Sequence, residues 1–148
     1  MTEDLDRLAE QATDAFAAQG FPRTPAAVLM ALMASDEGAL EAGELTARLG
    51  ISPAAVSGAV RYLVQLRFVR IGVVRGTRRH RYFLADENWY AGTLTQPDRL
   101  AALAALVEAE LPAGSPSPGV GRFAEMASFF RFLERRLPEL FDEWRATR

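Results

Sequence analysis

Two apolar stripes of helical spacing meet across the turn Leu49-Gly50-Ile51-Ser52. Leu45 and Leu49 lie one turn apart on the first stripe, and Val56, Val60 and Leu63 line one side of the second. Gly50 suits a left-handed backbone, Ser52 an N-cap and Pro53 the first helical position. The spacing therefore predicts one helix near Ala42–Leu49 and another from Pro53 to about Leu66. Two helices crossing steeply would share Leu45, Leu49, Ile51, Val56, Val60 and Leu63 as a core, which is a helix-turn-helix. At about 100° per residue, Ala54, Ser57, Gly58, Arg61 and Gln65 fall on the side opposite that core, just after the capping Ser52. Small residues at its start let the backbone approach a groove, and Ser57 and Arg61 can bond base edges or phosphates. The plainer reading of the same pattern is a helical hairpin with an uncommitted solvent face.

The segment after Leu66 favours the helix-turn-helix. The period switches from helical to alternating: Val69, Ile71 and Val73 point one way, Arg70 and Gly72 the other. A turn at Arg75-Gly76-Thr77 leads into a returning strand, where Tyr82 and Leu84 face the core and Arg79 and Arg81 face out. His80 falls on the inward face as a hydrogen-bonding residue rather than a catalytic base, since no nucleophile or metal partner is evident. The tip carries Arg75, Gly76, Thr77, Arg78, Arg79 and Arg81, and the next acid along the chain is Asp86. So basic a hairpin beside such a helix is the layout of a DNA-binding wing, because arginine suits phosphates and narrow minor grooves.

Charge is partitioned accordingly. Residues 1–47 hold two arginines and nine acids, residues 48–81 eight arginines and no acid, and residues 82–148 seven arginines and ten acids. One basic block between acidic flanks marks a local polyanion-binding surface. All seventeen basic residues are arginine. Without lysine there is no Schiff-base nucleophile or phosphate-loop lysine. Without cysteine, and with His80 the sole histidine, disulfides and the usual zinc ligand sets are excluded. Glu108 and Glu110 lie two apart on a helix and point to different faces, so they do not make a catalytic pair. No enzyme and no cofactor are expected. The acidic, amphipathic N-terminus is unlike a secretory leader, and the longest apolar run, Ala26 to Ala34, is too short to span a bilayer. A cytoplasmic protein without membrane contact is expected.

The remaining segments read as helices. Leu5, Leu8, Ala12, Phe16 and Gln19 keep helical spacing, ending at Gly20. Thr24 is expected to cap a second helix opening at Pro25, with Val28, Leu29, Leu32 and Met33 buried, and SDEGALE is expected to be a linker. A helix is expected from Asp98 to Leu111, then a flexible PAGSPSPG, then a last helix from about Gly121 that Pro138 should kink or divide. In that helix Phe123, Met126, Phe130, Leu133, Leu137, Leu140 and Trp144 make a heptad stripe, with Phe129 and Phe132 beside it. Trp89 and Tyr90 read as packing residues. The expected class is mainly α with a small β-hairpin wing: a winged helix-turn-helix carrying N- and C-terminal dimerisation helices.

GELTARLGISPAAVSGAVRYLVQLRFVR followed by VVRGTRRHRYFL resembles the MarR-type winged helix-turn-helix regulators. The GTRRHRY wing and the segment holding Trp89 look closest to the GbsR-like branch. Thr46 stands where such motifs usually place alanine, and the wing lacks the Asp-x-Arg pattern common in that family. The resemblance implies a homodimeric bacterial transcription regulator with recognition helices in major grooves of double-stranded, palindromic operator DNA. It also implies an unidentified small-molecule effector between the dimer helices and the DNA-binding lobe. On that basis residues 1–20 are a dimerisation helix, 21–86 the DNA-binding domain and 87–148 a C-terminal dimerisation region. Leu5, Leu8, Phe16, Phe123, Met126, Phe130, Leu133 and Leu137 are the interface candidates, because a reader of two half-sites needs a two-fold axis. The competing class is a winged-helix protein-interaction module, which an uncharged wing and an acidic recognition face would favour.

Overall fold

The computed structural model describes residues 2–85, 90, 97–114 and 117–148. Two compact units divide the chain, residues 1–90 and 91–148. In the first, α1 (Thr2–Ala18), α2 (Arg23–Met33), β1 (Ala39–Glu41), α3 (Ala42–Leu49), α4 (Pro53–Gln65), β2 (Val69–Val73) and β3 (His80–Leu84) follow in order. The second holds α5 (Pro97–Glu110) and α6 (Pro118–Ala146).

The core of the first unit forms where α2 lies under the helix-turn-helix. Val28, Leu29 and Leu32 of α2, Leu45 of α3 and Val56, Val60 and Leu63 of α4 are fully buried there. Each side chain of that size removed from water contributes about 1.5–3 kcal/mol, so this cluster dominates the stability of the unit. The α1 helix packs on α2. It ends in a Schellman motif: Phe21 N–H donates to Phe16 C=O (3.1 Å), Gly20 N–H to Ala17 C=O (3.0 Å), and Gly20 takes φ +90°. The hydrophobic contact of that motif is present as the edge-to-face pair Phe16–Phe21, 5.8 Å between centroids. Thr24 does not cap α2. The helix opens two residues earlier, at Arg23 after Pro22, with no side-chain cap, and Pro25 sits buried in its first turn, where a missing N–H costs nothing.

The expected linker SDEGALE contains β1, which pairs antiparallel with β3 in the register Ala39↔Phe83, Leu40↔Tyr82 and Glu41↔Arg81. The sheet therefore has three strands, ordered β1-β3-β2, rather than being an isolated hairpin. Three residues are too few for alternation to be read from sequence. Val69, Leu40 and Tyr82 are buried on the inner face. Ile71 and Val73 share that face but stay exposed, because the strands run past the edge of the core, and His80 opposite Val73 is exposed for the same reason.

In the second unit α5 and α6 pack on one another. Their fully buried residues are Ala104 and Ala127, small side chains that permit close approach. The α6 helix begins at Pro118 with Ser117 Oγ accepting from Val120 N–H (3.2 Å), and it runs unbroken through Pro138. The heptad stripe is one face of α6 that is covered unevenly along its length. Phe130, Leu133, Leu137 and Trp144 are half-buried, whereas Phe123, Met126, Phe129, Phe132 and Leu140 are exposed. Trp89 lies outside the described residues, and Tyr90 is exposed. No helix among the described residues is long and apolar enough to cross a membrane.

Candidate nucleic-acid interface

Local sequence sets the pose of α4. Gly50 takes φ +63° and ψ +32° as it closes α3, a conformation that an L side chain adopts only with strain. Ser52 then accepts the Ala55 N–H through its Oγ (3.1 Å), and Pro53 starts the helix. Val56, Ala59, Val60 and Leu63 turn inward. Ala54, Ser57, Gly58, Arg61 and Gln65 are all exposed, as is the capping Ser52, so the six form one solvent-facing side of α4. Nothing lies within 4 Å of where a Gly58 Cβ would be, which leaves that stretch of backbone open to approach. Arg61 has no ion pair among the described residues.

The far end of α4 holds a feature that sequence reasoning missed. Arg67 takes φ +62°, the position glycine usually fills after a helix. Phe68 N–H reaches Leu63 C=O (3.0 Å) and Arg67 N–H reaches Val64 C=O (3.0 Å), a second Schellman motif. It turns the chain directly from α4 into β2, placing the wing beside the helix. No glycine advertises it.

At the wing tip, Gly76 at φ +78° occupies the third position of a turn closed by Thr77 N–H to Val74 C=O (3.0 Å). Thr77 Oγ1 donates to the same carbonyl (2.9 Å) and accepts Arg79 N–H (3.1 Å), so this hydroxyl organises the tip. Arg75, Arg78 and Arg79 are exposed and Arg81 is half-buried.

The arginines are not equivalent. Arg79 Nη1 lies 3.2 Å from Glu41 Oε2, and Arg81 is paired with the Glu37 carboxylate. The absence of acid in the wing sequence is thus offset in space by residues about forty positions upstream, carried to the edge of β3 by β1 and the turn just before it. Among the described residues Arg75 and Arg78 have no ion pair. On the outer sheet face Arg70 and Arg81 both lie over the ring of Phe83, at 4.6 and 5.6 Å from its centroid. A Cβ on Gly72 would meet that ring at 2.8 Å, so glycine is needed there for the ring to lie flat across β2.

A cleft of about 640 Å³ opens between α1, α2 and α3, bordered by Asp6, Glu10, Thr13, Arg23, Arg48 and Ile51. Ion pairs Arg48–Asp6 and Arg23–Asp14 (2.7 Å in the second) join α1 to the elements across from it.

A helix-turn-helix followed by a strand–turn–strand extension on a three-stranded sheet defines a winged helix-turn-helix protein. Residues 19–80 match the family model of the MarR family, and residues 87–147 that of MmpR5-like MarR family transcriptional regulators. Together these two matches to MarR-family models take in most of the chain. A solved crystal structure of a transcriptional regulator has the same fold, with a TM-score of 0.83 at 24% identity over 98% of this chain and 99% of that one. The crystal structure of Sco3205, a MarR family transcriptional regulator from Streptomyces coelicolor in complex with DNA, aligns with a TM-score of 0.46 at 20% identity, over 97% of this chain and 82% of that one. No curated protein matches the sequence.

Proposed function

We propose that the protein is a dimeric, sequence-specific DNA-binding transcriptional regulator that inserts α4 into the major groove and lays its arginine wing on the flanking backbone or minor groove. The observation that carries this reading is the exposed Ser52-Ala54-Ser57-Gly58-Arg61-Gln65 side of α4, set beside a wing whose tip bears Arg75 and Arg78. Small residues admit the groove wall, Ser57 and Arg61 read base edges, and the tip supplies phosphate contacts that fix register.

Dimerisation accounts for the apolar surface. Leu5, Leu8 and Phe16 on α1, and Phe123, Met126, Phe129 and Phe132 on α6, are more exposed than an isolated chain would keep them in water. A two-fold axis would bury them and present two α4 helices to successive major grooves, about 34 Å apart. The cleft between α1, α2 and α3 has the size of a small-molecule site and is where an effector would bind. Within the family, the GTRRHRY wing carries the GbsR-like resemblance, whereas the C-terminal half matches the MmpR5-like model.

Selection of binding sites from random duplex DNA by the purified protein tests the reading. A palindromic consensus with half-sites one helical turn apart is the expected result. A pool that stays unenriched after repeated rounds would overturn it.

A further inference from the structure

We propose that Glu37 and Glu41 are internal counter-anions of the wing, competing with DNA phosphate for Arg81 and Arg79 and so limiting the polyanion affinity of the whole protein. The proposal rests on the DNA-binding reading above for its biological setting, but the competition itself is a property of the wing.

Three observations carry it. Arg79 and Arg81 are the wing arginines with carboxylate partners, at 3.2 Å for Arg79 and in direct contact for Arg81. Both acids come from one segment, fixed by the β1–β3 register and by Leu84 N–H donating to Gly38 C=O (2.9 Å). They are therefore held at the wing by backbone pairing and do not depend on side-chain attraction alone. Glu41 is further restrained, because its N–H donates to the Glu44 carboxylate (2.7 Å) as α3 begins.

The physical consequence comes from counterion release. An arginine that meets a phosphate releases about 0.9 of a condensed cation from duplex DNA. An arginine that must first leave its own carboxylate brings that anion up to the DNA with it, so the pair carries no net charge and the DNA keeps most of the cation it would otherwise release. Arg79 and Arg81 then add little to salt-dependent affinity, and the tip residues Arg75 and Arg78 supply the wing's share. Replacing both acids by their amides restores up to ~1.8 to the log–log salt slope per chain, at ~0.9 for each arginine.

The experiment compares the full chain with E37Q/E41Q, R79A/R81A, the combination of all four, and E125Q/E143Q, which changes net charge equally in the other unit. Binding to a random-sequence duplex is measured by fluorescence anisotropy from 0.05 to 0.3 M salt, and retention on immobilised heparin by the salt needed for elution. Circular dichroism verifies folding of each variant. E37Q/E41Q should bind at least about tenfold tighter at the low-salt end, with a steeper slope, and elute later from heparin. The gain should vanish in the four-fold variant and be missing from E125Q/E143Q. Unchanged heparin elution for E37Q/E41Q, or a gain that survives loss of Arg79 and Arg81, overturns the proposal. Heparin retention by wild type without duplex binding would instead sink the DNA-binding function, while the elution shift still decides the competition.

Discussion

The ring of Phe21 stands edge-on against that of Tyr62, 5.6 Å between centroids at an interplanar angle of 81°. Phe21 is the residue that closes α1, and Tyr62 lies on the flank of α4. This pair, continued by Phe16, ties the end of the first helix to the side of the candidate recognition helix by an aromatic chain.

Phe21→Ala should therefore lower the stability of the first unit by about 2 kcal/mol, below the 3–5 typical of fully buried phenylalanines because Phe21 is half-buried. Urea unfolding followed by circular dichroism measures it. A loss under about 0.5 kcal/mol, the range of ordinary surface substitutions, would show that the pair does not hold α4.

Arg67→Gly should stabilise the unit by about 0.5–1 kcal/mol, since relief of the left-handed strain exceeds the entropy glycine adds to the unfolded chain. Thermal unfolding reads this directly. A lower melting temperature would mean that the Arg67 side chain contributes more than its backbone costs.

Arg61→Ala should cost about 1–3 kcal/mol on a selected site and flatten discrimination at one base position. Arg78→Ala should weaken selected and random DNA alike and reduce the salt slope by about 0.9 per chain. Isotherms on both DNAs at two salt concentrations separate the roles, and equal losses for Arg61→Ala on both would assign it to phosphate.

Phe129→Glu with Phe132→Glu should yield monomers that keep their helix content, because both side chains are exposed. Phe130→Glu, at a half-buried position, should instead unfold the α5–α6 pair. Light scattering with circular dichroism distinguishes the two, and a dimer that survives the first variant would place the interface elsewhere.

The Arg131 guanidinium donates from Nε (3.1 Å) and Nη2 (2.8 Å) to the two oxygens of Glu108, and from Nη1 to Glu134 (3.0 Å). The hydrogen bond from Arg131 holds the Glu108 carboxyl below its ordinary value of 4.5. A lowered folded pKa means that this contribution is complete above the unfolded value and fades as pH falls through the folded one. The second unit should lose stability on acidification below about pH 4.5, and Glu108→Gln should flatten that limb of the curve. Parallel pH titrations of melting temperature for wild type and variant test it; superimposable acid limbs would remove Glu108 from the account.

Much of this architecture is legible in the sequence where local chemistry and tertiary packing agree. Gly50, Ser52 and Pro53 announce the turn of the helix-turn-helix, and all three behave as their side chains dictate. The solvent-facing side of α4 emerges from helical geometry alone. What escapes is set by partners distant in the chain. The β1 strand is too short to carry a pattern, and Arg67 adopts a glycine conformation because Phe68 and Val69 are drawn into the core. Knowing which residues of the α6 stripe are covered requires knowing where α5 lies. The charge block is visible from composition, but its neutralisation by Glu37 and Glu41 is written only in the strand register.

Because β3 is the middle strand, that strand of the wing stem is paired along both of its edges at residues 81–83, with β1 on one side and β2 on the other. It cannot flex without breaking ladder pairs on one side or the other, so it behaves as a lever rather than a hinge. A load at Arg75 or Arg78 is passed down β3 to β1, which joins α3 without an intervening residue. Tension from a groove at the tip would thus be felt at the root of the helix-turn-helix, giving wing and recognition helix a common mechanical axis.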